Sequence, residues 1–227
     1  MPTHALAAPA SQAAEQQEWR AVAEQVARDV QSGLLPPGTW LKQIDLETRY
    51  SRSRSDVRRA LDELVAKRLV QHVLNRGYRV FELAPEQIAQ LMDLRAVLEA
   101  AVAERIHDQA DKAALSRLEA LSAEFTDQVR TGTPLDQHAA NLAFHMALLE
   151  LCPNPELAQA VRDVRGRMPS ALVYQWSTRG WIDQSIRDHA AMLAALRAHD
   201  RAALRTVMVK HLRQTERNRT APGPRPR

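Results

Sequence analysis

The sequence predicts a mainly α protein: three helices closed by a β-hairpin, then an all-α antiparallel bundle of six helices. Three observations carry this expectation. Aromatics make up only 4% of the 227 residues and there are only 7 glycines, too few for the packed strands and tight turns of a sandwich or barrel. Apolar residues recur at spacings of three and four through most of the chain. One stretch, LVQHVLNRGYRVFEL at 69–83, sets two β-rich runs about an Asn-Arg-Gly turn, a hairpin signal.

Residues 1–14 are Ala-rich, carry Pro2 and Pro9, show no periodicity and are expected to form a disordered arm. The unit 15–83 follows. Its first helix covers about 17–32 on the stripe Trp19, Val22, Val26 and Val30, and Gly33 stops it. LLPPGTWL reads as a Pro-Gly turn with a short extended piece. A short helix at 43–50 precedes a third at 54–67, capped by Ser51 or Ser53, with Val57, Ala60, Leu61, Leu64 and Val65 as its apolar stripe. Helix, helix, helix, hairpin is the order of a winged helix-turn-helix, whose third helix can enter a DNA major groove.

The unit 84–215 is helical throughout. Pro85 starts a helix in its first turn, periodic at Ile88, Leu91, Leu94, Leu98 and Val102. Further helices are expected over 111–130, 135–151, from Pro155 with a disturbance at Pro169, over 180–198, and over 200–215. Residues 216–227, with three prolines, are expected to be a disordered basic tail.

Charge sharpens this division. Residues 49–79 carry nine Lys/Arg and three Asp/Glu, a local +6, whereas 81–212 carry fourteen against seventeen, a local −3. A compact basic module beside a mildly acidic one suggests that the first meets a polyanion and the second does not. No run of apolar residues is long enough for a membrane span. The start lacks the basic and apolar regions of a secretory signal, and the single Cys152 excludes an internal disulfide framework, so a cytoplasmic protein is expected. No G-x-G-x-x-G or G-x-x-x-x-G-K phosphate loop occurs.

Arg49, Arg52, Arg54, Arg58 and Arg59 crowd the third helix and its entry. Arg54 and Arg58, at i and i+4, project from one face, opposite the apolar stripe. A guanidinium takes guanine O6 and N7 in one bidentate contact, so this pair is suited to base readout. Ser53 and Ser55 are suited to phosphate contact at the helix N-terminus, with Arg76 and Gly77 at the hairpin tip. The alternative is a solvated charged face.

Three of the eight histidines sit on apolar stripes. His145 lies with Leu142, Leu148, Leu149 and Cys152; His189 with Ile182, Ile186, Met192, Leu193 and Leu196; His211 with Leu204, Val207, Met208 and Thr215. Each is expected to face the bundle interior from a different helix, and Asn141 stands one turn before His145. Three imidazoles and an oxygen donor would make a divalent transition-metal site of the zinc, nickel or manganese class; the alternative is three hydrogen-bonded core histidines. His138 is the substitute ligand. Arg95 and Glu99 are another i, i+4 pair amid apolar residues. They form either an internal salt bridge or, with Arg95 turned inward, a grip for a carboxylate ligand beside the metal. Tyr174 and Trp176 are candidate lining residues of the same cavity.

VAEQVARDVQSGLLPPGTWL, SRSRSDVRRALDEL and NRGYRV, within residues 22–81, resemble the DNA-binding domain of the GntR superfamily of bacterial transcription regulators. DLRAVLEAA, NLAFHMALLELCPNPEL and RDHAAMLAALRAHDRAALRTVMVKHL, within 85–212, resemble the FCD ligand-binding domain of its FadR-like branch. The resemblance implies a homodimer on operator DNA, an organic-acid effector, and a metal pattern of Asp or Asn followed by three His. That pattern maps onto Asn141, His145, His189 and His211. Three departures stand out, the first being Asn141, the less acidic form of the first ligand, which leaves the metal site one negative charge poorer. Asp56 replaces a frequent Pro beside the recognition arginines, and Arg68 replaces the Gly that usually follows the recognition helix, which must then end another way.

The expectation is therefore a ligand-responsive transcription regulator, a repressor rather than an enzyme. The runner-up is a metal-dependent enzyme with a DNA-binding module, in which the ion activates water; Glu150 and Asp188 are the nearest acids, and neither shares the ligands' face. A third reading is a metal sensor.

Overall fold

The computed structural model describes the backbone of residues 10–168 and 179–220, and the side chains of 18–168 and 179–213. The chain divides after Leu83 into two compact units.

The first unit holds α1 (Ala10–Gln31), β1 (Trp40–Leu41), α2 (Gln43–Tyr50), α3 (Arg54–Ala66), β2 (Val70–Val73) and β3 (Gly77–Val80). The strands form one antiparallel sheet in the order β1-β3-β2, with Trp40 opposite Arg79 and Val70 opposite Val80. Val22, Val26 and Val30 of α1 bury against Val57, Leu61 and Leu64 of α3, and Leu46, Val70, Tyr78 and Val80 close the core. The face of α3 left outside is the arginine face.

α3 ends in a Schellman turn, the device expected of a glycine there. Arg68 itself takes the left-handed conformation (φ 57°), Leu69 N–H donates to the Leu64 carbonyl at 3.0 Å, and Arg68 N–H to that of Val65 at 3.0 Å. Gly33 ends α1 at φ 80°, as the sequence suggests.

The second unit holds α4 (Pro85–Ile106), α5 (Lys112–Thr131), α6 (Pro134–Glu150), α7 (Pro155–Gly166), α8 (Arg179–Arg197) and α9 (Arg201–Thr220). Their starts are written in local chemistry. Pro85, Pro134 and Pro155 occupy first-turn positions, where a missing N–H costs nothing. Asp111, Thr133 and Asn154 accept from backbone N–H groups one turn on. α9 packs on α4 and α8, α5 on α6 and α8, and α7 on α4. Val102, Ile106, Leu118, Phe144, Leu148, Val161, Met192, Leu196 and Leu204 form the centre of the core.

Two boundaries differ from expectation. α1 begins at Ala10, inside the segment 1–14 read as an arm, because Ala, Gln and Glu favour helix and no Gly or Pro intervenes after Pro9. α9 runs to Thr220, inside the segment read as a tail, since no helix breaker precedes Pro222. Pro169, Tyr174 and Trp176 lie outside the described residues.

Candidate nucleic-acid interface and candidate metal centre

On the first unit, Arg54 and Arg58 are exposed on the outer face of α3. Arg54 Nε reaches Gln43 Oε1 of α2 at 3.4 Å, a long contact that leaves the group largely free. Arg58 places its charge beside the buried Tyr78 hydroxyl, which donates to Asp62 Oδ1 at 2.6 Å. Burial first and Asp62 second raise the Tyr78 pKa, and Arg58 opposes them. α3 and the wing are thereby tied at the base of the arginine face.

Ser53 is the N-cap of α3. Its hydroxyl accepts from Asp56 N–H at 3.2 Å and also pairs with the Asp56 carboxylate, while Ser55 Oγ lies 2.8 Å from it. The departure at Asp56 thus closes the helix N-terminus, where a negative charge is favoured by the exposed N–H groups. Arg49 is less available than its position suggests. It pairs with Asp29 of α1 at 3.0 Å, and the Tyr50 hydroxyl donates to the same oxygen at 2.8 Å. Arg59 lies over Trp19, 5.3 Å from the ring, on the α1 side, and Arg52 donates to the Ser51 carbonyl at 3.4 Å. At the wing tip Gly77 has φ 95°, and Arg76 lies over Trp40.

In the second unit His145, His189 and His211 converge from α6, α8 and α9, with one ligand nitrogen from each inside a 4.8 Å spread. All are buried, at 2%, 0% and 6% exposure. His145 Nε2 lies 3.2 Å from His211 Nε2. Phe144 stacks on His189 at 4.0 Å between centroids, and Phe125 tilts against it at 4.9 Å. Burial, then nearby positive groups, pushes His145 and His189 well below the usual imidazole pKa, so both are neutral. A metal requires neutral imidazoles. Asn141 Oδ1, His145 Nδ1 and both nitrogens of His189 are buried without a hydrogen-bond partner among the described residues. Such orphans are costly in a fold that gives them no use. The three converging imidazoles fit a divalent transition metal, and Asn141 lies one turn before His145 on α6.

Beside this cluster Glu99 of α4 is buried between two arginines. Arg95 Nε donates to it at 2.6 Å, and Arg165 of α7 grips it through two bonds of 2.9 and 2.6 Å. Burial pushes the Glu99 carboxyl up, but Arg165 and Arg95 outweigh it and hold the pKa at about 2. Desolvation and Arg95 pull Arg165 down to about 10 against the attraction of Glu99. The internal salt bridge expected for Arg95 and Glu99 is therefore present, within a triad that holds one excess positive charge. Glu99 presents acceptor oxygens already engaged by guanidiniums, so its place is to position them rather than to meet an anion. His138 is partly buried, and burial first, with Arg165 and Arg95 after it, lowers its pKa; it does not join the converging three.

Sequence reasoning missed two residues. Arg165 continues the buried face of Ala158 and Val161 at helical spacing, a signal that was available. Asp188, off the ligands' face by helical spacing, is 2% exposed, and its Oδ2 lies 3.3 Å from His211 Nδ1. A carboxylate behind a metal-binding imidazole fixes its tautomer and orientation. Glu150, the other acid considered, is exposed and pairs with Arg117.

A family model described as "Bacterial regulatory proteins, gntR family" matches residues 19–80, and one described as "FCD domain" matches 90–214, more than half of the chain. The chain belongs to the GntR family and carries an FCD domain. It is a DNA-binding transcription regulator of that type, in a family of regulators rather than enzymes. The HTH-type transcriptional repressor GlaR of Escherichia coli K12 is 29% identical over 200 residues, covering 81% of this chain and 87% of the relative. The HTH-type transcriptional regulator LutR of Bacillus subtilis 168 is 25% identical over 208 residues, 82% and 94% of the two chains. Among solved structures, E. coli McbR/YncC shares the fold at a TM-score of 0.79 and 21% identity, over 88% of this chain and 95% of that one. Among the described residues no helix is long and apolar enough to cross a membrane.

Proposed function

We propose that this regulator is a repressor whose affinity for operator DNA is set by a small carboxylic acid bound beside a divalent metal in the FCD domain. One observation carries the reading: three buried imidazoles, of which His145 and His189 keep nitrogens without a hydrogen-bond partner among the described residues, converge beside a net-positive pair of arginines. Asn141, His145, His189 and His211 would hold an ion of the zinc, nickel or manganese class. When bound, that ion supplies a Lewis-acidic contact for a carboxylate oxygen. Arg95 and Arg165 offer fork-shaped donors for the same anion, and Glu99 keeps both forks in place. A buried cation held by neutral groups, next to an arginine in excess, is expensive without a counter-anion, and an organic acid provides one.

On the DNA side Arg54 and Arg58 read base edges, while Ser53, Ser55, Arg76 and Gly77 set the backbone register. Arg49 contributes through α2, which it steadies against α1. The partner chain is a second copy of the regulator, for which Leu94 and Val97 leave an exposed apolar strip on α4. An effector acts only through different affinities for two arrangements of the protein.

The test begins with a thermal-shift panel of small mono-, di- and tricarboxylic acids on metal-loaded protein, because a ligand of the folded state raises its melting point. The acid that shifts it is then titrated against operator affinity in wild type, Arg95→Ala and His145→Ala. Loss of the response in both variants is expected. If both bind operator and respond at the wild-type concentration, the signal enters elsewhere and the reading is wrong.

A further inference from the structure

Trp40 and Arg79 take no part in the DNA contacts assigned above, yet their placement is unusual. Trp40 is the first residue of β1, paired directly with Arg79 of β3, and it is 40% exposed. Two guanidiniums share its ring. The Arg76 carbon lies 5.2 Å from the ring centroid and that of Arg79 lies 6.0 Å away. Gln71, opposite Arg79 across β2 and β3, sets its carboxamide against the same guanidinium from the other side. Trp40, Gln43, Ile44, Arg54, Arg76 and Gly77 then line one groove of about 450 Å³ between α2, α3 and the wing.

An indole face attracts a cation through its quadrupole, and Trp does so best among aromatic residues. Holding two like charges on one exposed ring is a poor way to stabilise a sheet of three short strands. It is a good way to present them, because each flexible arginine loses rotamer freedom before a partner arrives rather than on binding. The occupant that answers Arg76 and Arg54 on the groove, with Arg79 held on the same indole ring, is a polyanion of regular charge spacing. In a DNA-binding domain that is the phosphate backbone.

We propose that Trp40 is a positioning residue of the DNA interface, an aromatic rack that holds Arg76 and Arg79 as a backbone phosphate clamp beside the base-reading face of α3. Arg79 is then a phosphate ligand, and the clamp contributes affinity without sequence preference.

The test uses the full-length chain and two fluorescent duplexes of equal length. One is selected from a random pool by the wild-type protein and the other is a scrambled control. Affinity is measured by anisotropy between about 50 and 200 mM salt, where log K falls by about 0.9 per phosphate neutralised for each decade of salt. Trp40→Leu keeps an apolar side chain but removes the ring. The expected result is a salt slope shallower by about 1–2 and an equal fractional loss on both duplexes. Trp40→Phe should retain most of the wild-type slope. In the Trp40→Leu background, Arg76→Gln should cost less than it does in wild type. A wild-type slope in Trp40→Leu, a loss confined to the selected duplex, or an equal cost of Arg76→Gln in both backgrounds would each overturn the proposal. If circular dichroism shows Trp40→Leu to be unfolded, Arg79→Gln decides. A slope shallower by about 0.9 supports the clamp, and an unchanged slope refutes it.

Discussion

Glu99 shows how a single buried carboxylate can organise a site. It accepts from Arg95 and Arg165 at once, and removing it would leave two like charges facing each other away from water. Breaking a buried pair in this way costs about 3–5 kcal/mol, so Glu99→Gln should lower the unfolding free energy measured in urea by about that amount. The pH dependence has a definite sign. The folded pKa, about 2, is below the ordinary 4.5, so the contribution is present above 4.5 and is lost as pH falls from there towards 2. Wild type should weaken through that window, and Glu99→Gln should weaken less. Arg165 is itself pulled down by burial, so the triad stabilises the fold by less than the Glu99 shift alone implies. Asp188 carries a separate expectation. Asp188→Asn removes the charge behind His211 and should reduce metal affinity about 10–100-fold in a competition titration with a chelator, with the three imidazoles intact.

At the scale of elements, the end of the recognition helix carries a local conflict. Arg68 holds a left-handed conformation that costs an L-residue with a side chain roughly 1–2 kcal/mol, and glycine takes it freely. Arg68→Gly should therefore stabilise the first unit by about 1 kcal/mol in chemical denaturation, and no change or a loss would mean that the arginine side chain repays the strain. At the other end Ser53→Ala removes the cap that accepts from Asp56 N–H and should cost about 1 kcal/mol. The helices themselves were legible because each carries an apolar stripe bounded by Pro, Gly or a capping side chain. The outer ends of α1 and α9 were not, since Ala10–Gln17 and Glu216–Thr220 bear no apolar stripe to reveal a helix. His145, His189 and His211 were legible for a related reason: a polar residue on an apolar stripe is conspicuous. Arg165 meets Glu99 from 66 residues away, a pairing that no local pattern encodes. Asp188 adjoins His189, about 100° round the helix, and meets His211 of α9 on that side.

Over the whole molecule, chemistry is divided between two units, and the most basic stretch, 49–79 with a local +6, lies in the first. The first unit carries the DNA-binding domain of the GntR type. The second spends buried polar groups on a site that its own packing does not need: Asn141 Oδ1 and both His189 nitrogens have no hydrogen-bond partner among the described residues. A native core rarely carries such orphans without a ligand to satisfy them. As proposed above, the three imidazoles would hold one divalent transition-metal ion per chain. Elemental analysis of the full-length protein, purified without chelator and dialysed, tests this most directly. Near-stoichiometric zinc, nickel or manganese is expected in wild type, with none above background in His189→Ala or in a variant lacking both His189 and His211. Full metal content in that double variant, with the fold retained by circular dichroism, would contradict the account.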